Sequence, residues 1–565
     1  LLASFDDLDE LTDGLLVHSE NWQALNLLLE KYQEKVKCIY IDPPYNTGND
    51  EFIYKDNYQH SIWLSMITQA VGSSRKLMSI GSAFFASCDD NEISRFRECL
   101  DKLFGSENFE SQIIIQSNKR GQTYKSIAKT HEYLLVYDSD EHTRLNGLPR
   151  DVENGEEDEY GRFELWELRN RNPKFGRFNR PNLYFPIYVS EKQYQKLGYS
   201  CISVVPTKNF STAVYPKNSA GEDSCWRWSL KKVEEASLQN NKILIAMKTR
   251  TGEWRVFEKS RKSLKAPKSI WFDIKVINEK GTTEVGSMGF KNFGFPKPLG
   301  LLELVAQIGA SETDIMLDFF AGSGTTGHAV VNLNREDGGQ RRFILVEMGD
   351  YFDTVLLPRI KKVTFTPEWK DGRPKRMATQ EEAERSPRIV KYIRLESYED
   401  TLNNIEFDEA SGQRALFFDD YLLHYMLKWE TRKSETLLNV EKLASPFSYK
   451  LHIHADGRTR EKVVDIPETF NYLLGLHVKT RRVLHDGDRR YLVYRGRIDH
   501  REVAIIWREN KDWTREDLER DKKFVAEQKL TKSVDEVFVN GDSFIRGAKA
   551  LEPVFKARMF ASVEA

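Results

Sequence analysis

The chain has 565 residues, more than one hydrophobic core usually supports, so we expect several structural units. Its 84 lysines and arginines nearly balance 86 aspartates and glutamates, which excludes a uniformly basic nucleic-acid binder but permits a local basic surface. The five cysteines form no CxxC pair and no run of about 18 uncharged apolar residues occurs, so we expect a cytosolic protein without metal, disulfides or membrane span.

Helical and strand patterns alternate along the first 138 residues. Apolar spacing predicts helices at 21–33, 61–77 and 91–104, and short apolar runs predict strands at 37–41, 81–87, 110–116 and 132–138. The pattern lapses and returns as a helix at 298–309, a strand at 314–320, a helix at 327–334, a strand at 341–347 and a helix at 351–363. We therefore predict one open α/β sheet interrupted by an inserted domain.

The domain boundaries follow from this interruption. We assign 1–140 and 291–365 to the α/β domain, 141–290 to the insertion, 366–387 to a polar linker and 388–565 to a second α/β unit. The last unit contains FFDDYLLHYMLKW at 417–429, whose apolar stripe predicts an amphipathic helix. Packing into the unit's own core and use in assembly both explain that stripe.

A glycine-rich loop, DFFAGSGTTGHA at 318–329, lies between a predicted strand and a predicted helix. Gly322, Gly324 and Gly327 have the GxGxxG spacing of dinucleotide sites, and Glu347 ends the next strand. Asp318 would repel the pyrophosphate of NAD but attract the sulfonium and ammonium of S-adenosylmethionine. We therefore favour S-adenosylmethionine, with Glu347 accepting hydrogen bonds from its ribose hydroxyls. A tight turn without a ligand is the alternative.

A second loop, DPPY at 42–45, follows the predicted strand KCIYI. The exocyclic amine of adenine is a poor nucleophile, and two acceptors, Asp42 and a carbonyl such as that of Pro43, would favour a pyramidal nitrogen. Pro43 and Pro44 stiffen the turn, because each fixes its own φ near −65°. Tyr45 offers a ring on which an extruded base can stack. A proline turn that caps a buried strand explains the prolines but not the acid and the aromatic.

The predicted insertion carries the positive charge that the whole chain lacks. Residues 161–290 contain 24 lysines and arginines against 12 aspartates and glutamates. Such an excess is typical of a phosphate-binding surface, although solvated charged faces are common. Aromatic side chains alternate with the cations in RNRNPKFGRFNRPNLYF at 169–185. The candidate DNA contacts are Arg169, Arg171, Lys174, Arg177 and Arg180.

The two loops together resemble the amino-type DNA methyltransferases. DPPYNTG is similar to their catalytic motif and DFFAGSGTT to their cofactor loop, in the order of the β group, where the catalytic motif comes first. FPKPLGLLEL, HEYLLVYD, IRLESYEDTLNN, VNGDSF and LEPVFKARMF resemble the modification subunits of type III restriction-modification systems.

This resemblance implies a Rossmann-like methyltransferase sheet with an inserted target-recognition domain and a C-terminal assembly domain. It implies methyl transfer from S-adenosylmethionine to N6 of adenine in double-stranded DNA. The implied catalytic residues are Asp42, Pro43, Pro44 and Tyr45. The implied cofactor residues are Asp318, Phe320, Gly322, Ser323, Gly324, Thr325 and Glu347, with Phe295, Pro296 and Lys297 near the methionine moiety.

The resemblance also implies partners. We expect a homodimer in a prokaryotic cytosol, associated with the nucleoid through DNA binding. The sequence has no GxxxxGK[ST] loop, so any ATP-dependent cleavage would come from a separate helicase-nuclease subunit. Three alternatives stay open: a cytosine-N4 methyltransferase, an NAD-dependent oxidoreductase and a non-catalytic DNA-recognition subunit.

Overall fold

The computed structural model describes residues 2–47, 58–121, 126–150, 155–218, 220–261, 263–291, 293–404, 443–455 and 458–560. The helix predicted at 417–429 lies outside these residues. The chain divides into two units, a larger one formed by 1–146 with 268–565 and a smaller one formed by 147–267. The smaller unit is therefore an insertion in the larger one.

The larger unit is built on a nine-stranded mixed sheet. Its strands are β1 (Thr12–His18), β2 (Val36–Ile41), β3 (Met78–Cys88), β4 (Phe109–Ile115), β5 (Glu132–Asp138), β6 (Ile270–Trp271), β7 (Ile315–Asp318), β8 (Arg342–Glu347) and β9 (Ile389–Arg394). Their order is β6-β4-β5-β3-β2-β7-β8-β1-β9. All neighbours are parallel except β5, which is antiparallel to β3 and β4. The predicted α/β fold class is confirmed.

Helices cover both faces of this sheet. They are α1 (Asn21–Tyr32), α2 (His60–Arg75), α3 (Ile93–Phe104), α4 (Asn278–Ser287), α5 (Leu299–Gly309), α6 (Thr325–Asp337) and α7 (Leu357–Phe365). Trp63 and Phe96 from α2 and α3 pack with Ile39 in one core cluster. On the opposite face α5 approaches the sheet closely, since a Cβ on Gly309 would lie 2.6 Å from Cys38 Sγ. No helix in the described ranges has both the length and the apolarity needed to cross a membrane.

The strand register brings the two predicted loops to one edge of the sheet. Asp318, the last residue of β7, pairs with Tyr40 near the end of β2. Glu347, the last residue of β8, pairs with His18 at the end of β1. Because these strands are parallel, their carboxyl ends meet at the same edge, where open α/β sheets bind ligands.

The inserted unit has its own core. Strands Glu156–Asp158, Gly161–Glu167, Leu244–Lys248 and Trp254–Ser260 form an antiparallel sheet, and Ile187–Val189, Ile202–Ser203 and Thr212–Val214 form a second one. Two helices, Glu191–Leu197 and Leu230–Ser237, complete it. The unit is narrower than the predicted insertion at 141–290, because β6 and α4 belong to the larger unit.

The C-terminal part contains a five-stranded sheet with helices. Its strands are β10 (His477–Asp486), β11 (Arg489–Ile498), β12 (Arg501–Arg508), β13 (Glu536–Val539) and β14 (Ala548–Ala550), and its helices are α8 (Ile466–Leu473), α9 (Arg515–Glu527) and α10 (Leu551–Phe560). The predicted boundary at 388 differs from the structure, because β9 pairs with β1 of the main sheet. The predicted linker at 366–387 contains a short hairpin, Trp369–Lys370 with Arg373–Pro374, and the helix Gln380–Glu384.

A buried ionic network joins the C-terminal part to the main sheet. Lys31 Nζ on α1 lies 2.6 Å from Asp9 Oδ2, and Lys391 Nζ on β9 lies 2.7 Å from Glu468 Oε1 on α8. The Lys31 ammonium also lies 4.7 Å from the ring centroid of Tyr472. Burial lowers the pKa of Lys31 although Asp9 opposes the shift. The network therefore depends on Asp9 to keep a buried ammonium charged.

Replacing Asp9 by alanine should destabilise the protein strongly. The Lys31 ammonium would lose its nearest carboxylate, and removing one partner of a buried ion pair costs about 3–5 kcal/mol. Urea unfolding followed by tryptophan fluorescence measures this change. Glu10→Ala is the matched control, since Glu10 is exposed in its pair with Arg342 and should cost less than about 1 kcal/mol. Equal unfolding free energies for the two variants would contradict the role assigned to the network.

Candidate active site

The DPPY turn begins directly after β2 and is fixed on its outer side by α2. The indole Nε1 of Trp63, which is fully buried, donates a 2.7 Å hydrogen bond to the carbonyl oxygen of Pro44. Pro43 is buried and Pro44 half-buried. A buried tryptophan and two ring-locked φ angles leave this turn little freedom. Asp42 and Tyr45 are thus held at the two ends of a rigid turn.

A lysine ammonium connects these two ends. Lys297 Nζ lies 3.3 Å from Asp42 Oδ1, 2.5 Å from the hydroxyl of Tyr45 and 2.9 Å from Glu132 Oε2. The Lys297 and Glu132 side chains are only 10% and 6% exposed. Burial alone would lower the pKa of Lys297, but Asp42 and Glu132 outweigh burial and raise it. We call Asp42, Tyr45, Glu132 and Lys297 the Lys297 cluster.

Tyr45 stays a neutral phenol in this cluster. Burial, reinforced by Asp42 and Glu132, raises its pKa well above the ordinary value. Its hydroxyl lies 3.5 Å from Glu132 Oε2, and its ring centroid lies 4.8 Å from Lys297 Nζ. With two carboxylates, one ammonium and one neutral phenol, the cluster carries a formal charge of minus one when both acids are ionised.

Asp318 shapes the glycine-rich loop through both of its oxygens. Oδ1 accepts a 3.0 Å hydrogen bond from the backbone N–H of Phe320, and Oδ2 accepts one of 2.5 Å from the hydroxyl of Thr326. The residue is 2% exposed, and burial raises its pKa to about 7, although these hydrogen bonds oppose the shift. The carboxyl therefore changes its charge near neutral pH.

Glu347 closes the other side of the loop. Its Oε2 accepts from the N–H of Gly322 at 2.8 Å, and its Oε1 accepts from Met348 and Gly349 at 2.9 and 2.8 Å. Gly322 and Gly324 have φ values of +53° and +81°, which side chains rarely allow. Burial raises the pKa of Glu347, and the backbone donors oppose this. These three backbone donors occupy three of the four lone-pair sites of the carboxylate, and Tyr351 also bonds to this side chain.

The centre of the loop is held by a buried arginine. Arg359 on α7, which is fully buried, donates from Nη1 to Ser323 Oγ at 2.7 Å and to Thr325 Oγ1 at 2.9 Å. Burial lowers its pKa to about 10. Thr325 Oγ1 in turn donates to the carbonyl oxygen of Lys297 at 3.2 Å. Arg359 therefore orders the glycine-rich loop, and Thr325 links that loop to the FPKP segment.

The structure brings most of the predicted site residues to one edge of the sheet. Pro296 is buried, whereas Phe295 is 56% exposed and has a positive φ of 54°. The ammonium of Lys297 contacts the DPPY turn at Asp42 and Tyr45, and its predicted proximity to the methionine moiety stays a prediction. In the parts of the chain that are described, no group of three or more His, Cys, Asp or Glu could hold a metal ion.

Sequence reasoning missed Glu132, Trp63 and Arg359. Glu132 is an acid at the start of the apolar strand HEYLLVYD, and β5 is antiparallel to β3, so its first residues lie at the edge where β3 ends. Had the sequence indicated that β5 is antiparallel to β3, Glu132 would have been expected near the DPPY turn. For Trp63 and Arg359 the local sequence contains no signal beyond helical spacing.

The predicted DNA contacts divide into one buried and four exposed cations. Arg169 is 9% exposed and bonded to Glu167 at 2.9 and 3.3 Å, so it is corrected to an internal residue. Arg171 is exposed although its Nε lies 3.2 Å from Glu167 Oε2. The other exposed cations are Lys174, Arg177 and Arg180, with Arg177 paired to Asp223 and Arg180 over the ring of Phe175.

Several known proteins are similar in sequence to this chain. The Mod subunit of the type III restriction-modification enzyme EcoPI from Escherichia phage P1 is 30% identical over 380 residues, which cover 60% of this chain and 57% of that protein. The type II methyltransferase M.KpnI from Klebsiella pneumoniae is 31% identical over 359 residues, covering 61% of this chain and 83% of the relative. The chain thus spans little more than half the length of the first relative.

One solved structure, the M1.HpyAVI–SAM complex, covers 61% of this chain at 14% identity, and 98% of its own chain aligns. Its TM-score of 0.30 is too low for any inference about the site. A family model described as DNA methylase matches residues 36–356, which include the DPPY turn, the inserted unit and the glycine-rich loop. The match covers more than half of the chain, and the chain therefore belongs to the DNA methylase family.

Proposed function

We propose that the chain is a site-specific DNA methyltransferase that transfers a methyl group from S-adenosylmethionine to N6 of adenine in double-stranded DNA. The observation that carries the proposal is the meeting of two loops at adjacent strand ends. Asp42 follows β2 and Asp318 ends β7, so the DPPY turn and the glycine-rich loop lie side by side, which supports assigning the target amine to the first and the cofactor to the second. Methyl transfer requires this proximity, because donor and acceptor must react in line.

The glycine-rich loop has the donors and acceptors that S-adenosylmethionine needs. Ionised Asp318 provides negative charge for cationic groups, and Glu347 is the acceptor that we propose for the ribose hydroxyls. The glycine spacing also occurs in dinucleotide sites, but ionised Asp318 would repel a pyrophosphate. The loop therefore favours S-adenosylmethionine over NAD, and the cofactor supplies an electrophilic methyl group.

The DPPY turn is suited to an amine. Asp42 can accept a hydrogen bond from an exocyclic N–H, and the adjacent carbonyl of Pro43 is a second acceptor in the proposal. The Pro44 carbonyl is already bonded to Trp63. Tyr45 provides an aromatic face for a base that has left the stack. DPPY resembles the adenine-specific members, so adenine N6 is our proposal, and a cytosine-N4 enzyme is the alternative with the same geometry.

We also propose partners on the basis of the relatives. The EcoPI relative is a Mod subunit of a type III restriction-modification enzyme, which supports a modification role here and a separate ATP-dependent helicase-nuclease subunit. A homodimer remains part of the proposal. The exposed cations Arg171, Lys174, Arg177 and Arg180 make the inserted unit our candidate for DNA recognition.

Substitutions in the two loops should separate catalysis from cofactor binding. Asp42→Ala should reduce methyl transfer by at least about a hundredfold and leave the affinity for S-adenosylmethionine within a few-fold, because Asp42 faces the target amine. Asp318→Ala should weaken cofactor binding first, because it removes charge and two loop hydrogen bonds. Tritiated methyl transfer to DNA and calorimetric binding measure these effects. Equal loss of cofactor affinity in both variants would contradict the assignment.

The affinity for S-adenosylmethionine should depend on pH through Asp318. Its pKa is raised to about 7, so the ionised carboxylate that attracts cations predominates only above that pH. From about pH 7 down to pH 5.5, affinity should fall by up to tenfold per unit. Calorimetry across this range measures the slope, and Asp318→Asn should flatten it. A slope that survives in Asp318→Asn would assign the titration to another group, such as Glu347.

DNA affinity should depend steeply on salt through the inserted unit. Each phosphate contact contributes a slope of about 0.9 in log K against log salt concentration. Replacing Arg171, Lys174 and Arg177 together by alanine should reduce the slope by about two to three units without changing S-adenosylmethionine affinity. The matched control replaces Lys522 and Lys523 on α9, which are exposed cations outside the inserted unit. An unchanged slope in the triple variant would place the DNA surface elsewhere.

A further inference from the structure

The Lys297 cluster contains two charged side chains, Lys297 and Glu132, in addition to the Asp42 of the DPPY turn. The ammonium of Lys297 lies between two carboxylates, 2.9 Å from Glu132 and 3.3 Å from Asp42. Asp42 is the group that must accept a hydrogen bond from the target amine in the proposed reaction. An ammonium bound to Asp42 alone would neutralise that acceptor and compete with the amine.

Glu132 is placed to prevent this neutralisation. Its Oε2 is the nearer carboxylate oxygen to Lys297 Nζ, and it also lies 3.5 Å from the Tyr45 hydroxyl. Its Oε1 is buried and has no hydrogen-bond partner within the described part of the chain. All the hydrogen bonds described for this carboxylate therefore go to the cluster. A carboxylate that only stabilised the contact between two strands would not need hydrogen bonds to Lys297 and Tyr45.

We propose that Glu132 is a positioning residue for methyl transfer: by holding the Lys297 ammonium it leaves the Asp42 carboxylate oxygens open to the target amine. This inference rests on the proposed function. With Glu132 present the cluster has a charge of minus one. With glutamine in its place the charge is zero, and Lys297 has only Asp42 as an anionic partner.

The charge matters because the reaction moves positive charge onto the amine. The lone pair of N6 forms the new N–C bond to the methyl group, while the C–S bond breaks and its electron pair stays on sulfur, which becomes a neutral thioether. The nitrogen then carries one positive charge and releases one proton, first to Asp42 and then to solvent. A cluster with a net negative charge stabilises this nitrogen, whereas a neutral cluster does so far less.

Two single substitutions separate charge from shape. Glu132→Gln keeps the shape and removes the charge, whereas Glu132→Asp keeps the charge and shortens the side chain. We expect Glu132→Gln to lower kcat about a hundredfold at saturating S-adenosylmethionine, with cofactor affinity within about threefold, and Glu132→Asp to be at least tenfold faster than Glu132→Gln. A residue needed for packing alone would give the opposite order. Glu110→Gln, an exposed acid on β4, is the matched control.

A double substitution tests the charge balance directly. Glu132→Gln with Lys297→Met removes the competing ammonium and returns the cluster to a charge of minus one. This variant should be at least tenfold faster than Glu132→Gln alone when S-adenosylmethionine is saturating. A double variant no faster than the single one would overturn the inference, as would a Glu132→Gln protein at the wild-type rate. If thermal melting shows that the double variant does not fold, the order of the aspartate and glutamine variants decides.

Assays of the wild-type chain distinguish a failure of the Glu132 role from a failure of the proposed methyltransferase function. Methyl transfer to DNA by the wild-type chain, together with full activity of Glu132→Gln, would overturn the role of Glu132 and leave the methyltransferase function standing. A folded wild-type chain that binds S-adenosylmethionine and transfers no methyl group to DNA would overturn both.

Discussion

The pairing of β2 with β7 is the constraint on which the site depends. Tyr40 lies opposite Asp318, so the chain leaves the sheet twice at neighbouring positions, once into the rigid DPPY turn and once into the glycine-rich loop. These two exits are separated by an inserted unit in sequence, yet the parallel register makes them adjacent. The main chain thereby fixes the distance between the two loops, and the hydrogen bonds from Trp63 and Arg359 hold each loop in place.

Burial gives the site its electrostatic character. Asp318 and Lys297 are both removed from water, but their pKa values reflect different balances. For Asp318, burial outweighs the hydrogen bonds from its own loop and raises the pKa. For Lys297, two carboxylates outweigh burial and keep the ammonium charged. At one edge of the sheet, the Asp318 carboxylate therefore takes up a proton near neutral pH, whereas the Lys297 ammonium stays protonated. Of the two, only Lys297 has oppositely charged neighbours.

Much of this arrangement can be predicted from local sequence. The strands before Asp42 and Asp318 are short apolar runs, and the residues that follow them have specific chemistry, so the sequence alone predicts both loops. Glu132 and Arg359 could not be found in the same way, because their roles arise from contacts across the sheet between residues far apart in sequence. Arg169 shows the converse. The basic segment around it predicts an exposed cation, but Arg169 is hydrogen-bonded to Glu167, two residues earlier, and is buried in the inserted unit. The predicted domain boundary at 388 differs from the structure because the apolar pattern of β9 predicts a strand but not the sheet in which that strand pairs.

The way the chain enters and leaves the inserted unit has an evolutionary consequence. The chain departs after β5 and returns through β6, and both strands lie on the side of β3 away from β7, the strand that ends at Asp318. The inserted unit also has a hydrophobic core of its own. Recombination between related genes could therefore exchange this segment as a block while the register of β2, β7 and β8 is inherited unchanged. If the segment recognises DNA as proposed, lineages can acquire new target sequences in one step, without a new catalytic centre.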